Sequence, residues 1–333
     1  MDRSILIVAP DKDAHASALA TVLRSEFGVE AVVWDSASLP AQASLSLTLD
    51  AGTDFDIDGP HVRLSLDRLR SIWWRRPNPY RVDHSVTDPK VRSFCAYECD
   101  ALFKGALDVI DVPIINHPFH EQRAAYKPFQ LWAARRAGLA IPRTLMSNDP
   151  AAIRAFWDSV HGRCIYKPFT APFWTMSETR PLTPEDLDDL DTLRHAPIIV
   201  QQKIERGLDV RVNIFGDAVF AAAVETHVAE AALDWRMDLT ATWREHHLPD
   251  NVAASLERLL ADLGLQYGCI DMRQQPDGEY TFFEVNPSGQ FLFVEIDTGQ
   301  PLVRALAELL MQAGSLASLQ SPSTHALQFA RHP

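Results

Sequence analysis

The chain has 333 residues, 47% hydrophobic and 23% charged, an ordinary globular profile with length for two or three domains. Its formal net charge of −13 speaks against a general nucleic-acid binder, whose affinity rests on neutralising phosphates, but leaves room for a local basic pocket for a nucleotide. No apolar run reaches membrane-spanning length, the N-terminus has no signal-type apolar region, and Cys95, Cys99, Cys164 and Cys269 form no CxxC pair. A cytoplasmic protein with free thiols, no zinc and no membrane partner is expected.

Residues 4–9 read as a short apolar strand, 13–26 as a helix with Ala18, Leu19, Val22 and Leu23 on one face, and 29–35 as a second strand, the start of a small α/β domain. No GxGxxG follows the first strand, so a dinucleotide fold has no support. A hairpin about Asp58-Gly59 is expected over 55–66, then a strand "SIWWRRP" at 71–77 ended by Pro77, and a long helix over 88–110. "VPIINHP" at 112–118 is a buried strand entering a loop, which closes a first domain at 1–115. The central part, 116–200, holds a helix over 124–138 with Pro128 in its first turn, a helix over about 150–160, a strand over 164–169, a capped acidic helix through "TPEDLDDLDTLRHA" and an apolar strand over 197–204. The C-terminal part, 201–315, holds a hairpin about Gly216-Asp217, an amphipathic helix over 250–264, a second hairpin and a helix over 301–313; residues 316–333 have no period and are expected to be mobile.

The second hairpin, "CIDMRQQPDGEYTFFEVNPSG" at 269–289, spends polar residues on its best strand. With Asp277-Gly278 at the turn, Asp271 lies opposite Glu284. One face then carries Asp271, Arg273, Glu284 and Asn286, and the other carries Ile270, Met272, Phe283 and Val285 as core. Facing carboxylates repel unless a cation lies between them. Either Arg273 neutralises them, or the face is wet, or they hold Mg²⁺ with the Asn286 oxygen, since magnesium takes oxygen ligands and often only one or two carboxylates beside phosphate. Lys167, at the end of the apolar "IYKP", is costly without an anion unless it snorkels at a strand edge. Asp209, Arg211 and Asn213 share one face of "LDVRVNI", as they would in any half-exposed strand. "QQKI" at 201–204 ends a buried strand before Gly207 and offers backbone groups to a planar base.

The order of these pieces, ending in D…E-x-N-P-S, resembles that of the ATP-grasp ligases over roughly 116–310. The resemblance implies a mixed α/β (α+β) ATP-grasp fold: an N-terminal pre-ATP-grasp domain, then central and C-terminal subdomains that clamp ATP. It implies that Lys127 and Lys167 hold phosphate oxygens, that Gln202, Lys203 and Ile204 meet adenine mainly through backbone, that Asp209 holds the ribose hydroxyls, and that Asp271, Glu284 and Asn286 hold Mg²⁺. "WWRRP", "NHP", "QLWAARRAGLAIPRTLMSNDP" and "EVNPSGQFLFVE" together are similar to the graspetide synthetases, microviridin-type peptide ligases, over nearly the whole chain. That likeness implies activation of Asp or Glu side chains of a precursor peptide as acyl phosphates. Ser/Thr hydroxyls or Lys amines then capture them, with Arg211 and Lys167 as the catalytic pair. A leader segment of the precursor is the implied partner, and a homodimer is allowed.

The loop after Lys167, "FTAPFWTMSE", departs from the family in lacking phosphate-covering glycines, with Thr170 and Ser177 as polar substitutes. Glu225 and His227 are candidates to assist deprotonation of a hydroxyl. Leader docking is expected over 225–239, with Asp234 and Arg236 near the cleft, against the plainer reading of a surface salt pair. Arg75 or Arg76, at the carboxyl end of its strand, is expected to clamp substrate carboxylates, against the plainer reading of solvated arginines over core tryptophans. The rival functions are a ligase for a small acid or a protein C-terminus, resembling the glutathione and ribosomal-protein glutamate ligases, and a regulator without chemistry. The intact Asp271, Glu284 and Asn286 set argues against the last.

Overall fold

Four consecutive apolar residues make β1 (Ile5–Val8), and all four are buried. Asp13 then caps α1 (Ala14–Phe27) by accepting the Ala16 N–H, and Gly28 ends the helix at φ 66°. β2 (Ala31–Trp34) returns parallel to β1. β3 (Ser44–Leu49), β4 (Thr53–Gly59) and β5 (Val62–Ser65) form a separate antiparallel sheet. Sequence reading leaves β3 unassigned, although its alternating Leu45, Leu47 and Leu49 have the period of a strand. Asp58 and Gly59 lie within β4 and not in the expected turn, because Asp58 pairs with Arg63 and Gly59 with Val62; this register sets Ile57 opposite Leu64, apolar against apolar. β6 (Ser71–Trp74), α2 (Pro89–Leu107, capped by Asp88) and β7 (Ile114–Ile115) complete a parallel sheet of order β2-β1-β6-β7. Trp34, Phe55, Trp74 and Phe103 gather in its core.

The computed structural model describes residues 4–59, 62–170, 179–204, 207–224 and 241–317. The chain divides into two compact units, Met1–Pro118 with Val303–Pro333, and Phe119–Leu302.

The second unit begins with α3 (Pro118–Ala125) and α4 (Lys127–Arg136), where one helix over 124–138 is expected. Tyr126 breaks them with extended backbone, because Pro128 has no N–H to donate and is tolerated only in a first turn. β8 (Thr144–Ser147), α5 (Pro150–Ser159), β9 (Cys164–Lys167), β10 (Arg180–Pro181) and β11 (Ile198–Gln202) follow, in an antiparallel sheet of order β10-β9-β11-β8. The expected acidic helix is a 3-10 segment, Asp186–His195, kinked at Asp189. Its aspartates repel at helical spacing and are poor helix formers, so an α-helix gains little there.

β12 (Leu208–Phe215) and β13 (Ala218–Val224) turn about Gly216-Asp217 as expected. β14 (Arg244–Glu245), α6 (Asp250–Leu263), β15 (Tyr267–Gln274) and β16 (Tyr280–Asn286) complete a sheet of order β14-β13-β12-β15-β16. Leu131 and Ala134 of α4 and Leu256 and Leu260 of α6 pack on Val210, Val212, Ile270 and Met272, burying one face of that sheet. The opposite face carries the polar residues. α7 (Leu292–Thr298) follows, and α8 (Leu302–Ala317), grouped with 201–315 by sequence order, clusters with the first unit, where Ser71 Oγ donates to the Leu310 carbonyl at 3.0 Å.

Candidate functional site

Asp271 stands opposite Glu284 and Cys269 opposite Asn286, the register expected from the turn. The turn itself differs. Gln275 N–H donates to the Glu279 carbonyl at 2.8 Å, so the loop is Pro276-Asp277-Gly278, and Met272 pairs with Phe282. A bulge at Phe283 absorbs the offset and restores the register at Glu284. The bulge also exchanges the two phenylalanines. Phe282, fully buried, belongs to the core, whereas Phe283, expected there, lies on the polar face with the Arg273 guanidinium 5.6 Å from its ring centroid.

Arg273 does not neutralise the facing carboxylates. It grips Asp209 through two bonds, Nε to Oδ1 at 2.9 Å and Nη2 to Oδ2 at 3.0 Å, and both residues are buried. A ribose at Asp209 would share those oxygens with Arg273. Asp271 is held instead by Arg211, whose Nη1 donates to Oδ1 at 2.7 Å. Nη2 of Arg211 donates to the Gln290 carbonyl at 2.9 Å, and its guanidinium lies 5.7 Å from the Phe293 ring centroid. Glu284 accepts a hydrogen bond from Lys127, the first residue of α4. Cross-strand pairing thus puts Asp209 and Asp271 each beside an arginine, and α4 brings a lysine to Glu284.

The charges are coupled. Burial pushes the Lys167 pKa below its ordinary value, Glu284 pulls it back up and Lys127 lowers it further. Burial works to raise the Glu284 pKa, but Lys127, Lys167 and Arg211 together hold it below the usual glutamate value. Burial likewise opposes the charge on Arg211, and Asp271 outweighs it, so the Arg211 pKa is raised. Lys127, Lys167 and Arg211 therefore all act on Glu284, a cationic cradle around one carboxylate. Among the described residues no three or more His, Cys, Asp or Glu side chains gather as a metal cage. Two facing carboxylates with one amide oxygen nearby are an all-oxygen donor set, and that fits a Mg²⁺ shared with phosphate oxygens.

Asn286 already uses Oδ1 to accept the Ser288 N–H at 3.1 Å. This closes an Asx turn that folds "NPSG" back over β15. Ser288 Oγ donates to Glu121 of α3, a contact that no local signal in the sequence announces. Tyr267 Oη donates to the Gly289 carbonyl. A Cβ on Gly289 would fall 2.3 Å from Cys269 Cβ, so only glycine lets this loop lie on the strand. Gly289→Ala is expected to lower stability by about 2 kcal/mol and to loosen Gln290 from Arg211; an unchanged thermal midpoint would rule this packing out.

The N–H groups of Gln202 and Lys203 donate to the carbonyls of Arg143 and Arg163, both at 2.9 Å, and the Ile204 carbonyl accepts from Arg273 at 3.3 Å. These backbone groups, expected to meet a base, are engaged within the unit. Asn213, on the Arg211 face, is fully buried with no hydrogen bond to either side-chain atom among the described residues. In the first unit, Arg75 is 1% exposed, lies over Trp73 at 5.5 Å and pairs with Asp13 at 3.5 Å, so it packs inside and is not a solvated arginine. Arg76 is exposed at φ 46°. Ser177, Glu225, His227, Asp234 and Arg236, with the leader-docking stretch 225–239, lie outside the described residues. Among the described residues no helix is long and apolar enough to cross a membrane.

No protein-family model matches the sequence, and no curated protein matches it. Solved structures do. The macrocyclase MdnC from Microcystis aeruginosa MRC, bound with precursor peptide MdnA, is 28% identical with a TM-score of 0.82, over 93% of this chain and 99% of that one. The ATP-grasp ligase PsnB, complexed with precursor peptide PsnA2 and AMPPNP, is 28% identical with a TM-score of 0.76, over 94% and 98%. A RiPP-associated ATP-grasp ligase from Chryseobacterium gregarium, in complex with ADP and a leader and core peptide, is 24% identical and shares the fold at a TM-score of 0.85, over 94% and 97%.

Proposed function

We propose that this chain, an ATP-grasp ligase similar to the graspetide synthetases, activates Asp or Glu side chains of a ribosomal precursor peptide and closes side-chain rings within it. The observation that carries the reading is coverage. The likeness to a peptide-bound macrocyclase runs over 93% of this chain and 99% of that one, so it takes in the first unit as well as the polar platform.

ATP is the implied co-substrate, and Asp271 and Glu284, with Asn286 beside them, would hold Mg²⁺. When bound, that ion offsets charge on the phosphate oxygens. Lys127 and Lys167 would exchange part of their grip on Glu284 for phosphate oxygens. A substrate carboxylate oxygen attacks the γ-phosphorus, ADP leaves, and an acyl phosphate forms. A hydroxyl or amine of the same peptide then attacks the acyl carbon, loses its proton and expels phosphate. Arg211, held by Asp271 and the Gln290 carbonyl, would offset charge on the transferred group. Asp234 and Arg236 remain the proposed leader contacts, and Arg76, as the exposed arginine of its pair, the proposed carboxylate clamp.

Lys167 supplies a test of the nucleotide reading. In the free protein its pKa is depressed, by burial first. Bound phosphate favours the protonated lysine, so affinity should be full below that depressed pKa and decline as pH rises through it. Lys167→Ala should weaken binding by about 10- to 100-fold and remove that decline. Calorimetric titration of a non-hydrolysable ATP analogue across alkaline pH measures both, and equal affinity in the two proteins would reject the role.

The functional test is the reaction itself. Incubation of the chain with ATP, Mg²⁺ and a Thr- and Glu-rich precursor peptide should remove one water per ring, read by mass spectrometry. A product heavier by the added amine or amino acid less one water, with no ring-closed species, would favour the small-acid or C-terminal ligase instead.

A further inference from the structure

Asn213 lies in the middle of the polar face of β12 and is completely buried. By strand alternation Arg211 precedes it on that face and Phe215 follows it. Phe220 stands opposite it on β13 and Cys269 on β15. Beyond Arg211 its walls are therefore mainly apolar. Phe215 stacks on Tyr267 at 5.0 Å and meets Phe291 edge-on at 5.3 Å, and the Cys269 thiol already faces Tyr267 Oη at 3.1 Å.

Among the described residues, neither Oδ1 nor Nδ2 of Asn213 has a hydrogen-bond partner, and neither has Nε of Arg211. Burying such atoms unpaired costs stability, and an apolar side chain would fill the same place without that cost. The amide therefore points to a partner of its own. Its acceptor and donors, with the Arg211 Nε–H beside them, are the set that a buried water binds, since such a water makes about three hydrogen bonds. Residues two apart on a strand are about 7 Å apart at Cα. A water with hydrogen bonds of about 2.8 Å on either side bridges side chains at that spacing.

We propose that Asn213 is a positioning residue for Arg211: its amide and the Arg211 Nε–H share one buried water. The water is the third anchor of the guanidinium, after Asp271 Oδ1 on Nη1 and the Gln290 carbonyl on Nη2. Held at all three nitrogens, the planar fork cannot rotate. The second N–H of each Nη then keeps a fixed direction for the group being transferred. That last step rests on the ligase reading; the water itself does not.

Nitrogen NMR of the full chain, labelled in arginine, tests the water, with the Arg211 signal assigned by its loss in Arg211→Lys. In the wild type the Arg211 Nε–H should receive magnetisation from a long-lived water and exchange about 10-fold or more slowly than exposed arginines do. Asn213→Leu, similar in volume, should abolish that transfer, and Asn213→Thr, which keeps a hydroxyl, should retain it. Ring closure reads the positioning. Asn213→Leu should lower kcat by about 10- to 100-fold, with the KM values for ATP and peptide within about twofold of wild type and a melting temperature close to it. Asn213→Thr should recover most of the rate. A wild type without water transfer at Arg211 Nε overturns the proposal, as does transfer that survives Asn213→Leu, or a kcat that Asn213→Leu leaves unchanged. A wild type that closes no ring removes the ligase reading alone, and the NMR experiment still decides the water.

Discussion

Glu284→Gln should slow ligation severely while the protein stays folded. The substitution keeps shape and removes one charge, and that charge is the one on which Lys127, Lys167 and Arg211 all act. Without it the two lysines lose their shared counter-ion and the platform loses half of its anionic oxygens. The rate should fall by about 100- to 1,000-fold, the scale on which single electrostatic contacts at reacting groups act. The folding cost should stay near 1 kcal/mol, because the Lys127–Glu284 pair is partly exposed, 21% and 37% for the two side chains. Acid titration adds a signature. The Glu284 pKa is lowered by folding, so its contribution to stability is present above the ordinary value of 4.5 and is lost as pH falls through the folded value. The variant should lack that acid-side loss. Product mass spectrometry with thermal melts at neutral and acid pH would measure both effects, and wild-type ring closure by Glu284→Gln would sink the platform assignment.

Arg211→Ala should be the most damaging change, in stability as well as activity. The guanidinium is 7% exposed and serves Asp271, the Gln290 carbonyl and the Phe293 ring at once. Removing it strands a partly buried carboxylate and frees the loop that Gly289 lays on the strand. Breaking one side of such a pair costs about 3 kcal/mol or more. Arg211→Lys separates folding from chemistry: the charge survives, but the two divergent hydrogen bonds do not. The lysine variant should fold, bind the ATP analogue as the wild type does, and lose kcat far more than it raises the KM for peptide. An unchanged kcat in Arg211→Lys would remove Arg211 from the reaction and leave it a structural role.

Much of the candidate site was legible because β-structure carries its chemistry in alternation. Asp209 and Arg211 on β12, and Asp271 opposite Glu284 on β15 and β16, follow from period two and a turn signal alone. The turn argument reached the right register although its premise failed. The loop is a residue different from the expected one and the bulge at Phe283 compensates, so Asp271 and Glu284 kept their facing while Phe282 and Phe283 exchanged places.

The amino-acid sequence by itself determined the order of the elements, most strand faces, the β12–β13 turn and the polar platform on the last hairpin, because these depend on local period, caps and turn residues. Only the tertiary structure decided which cation holds which carboxylate. Arg273 stands beside Asp271 along its own strand, yet it grips Asp209 on the neighbouring strand, and Arg211 takes Asp271. It also decided that Arg75 is packed on Trp73 and Asp13, that Glu121 meets Ser288, and that α8 joins the first unit. Each of these is a contact between segments distant in the chain. Such contacts are set by how whole layers pack, and no local pattern of residues encodes them.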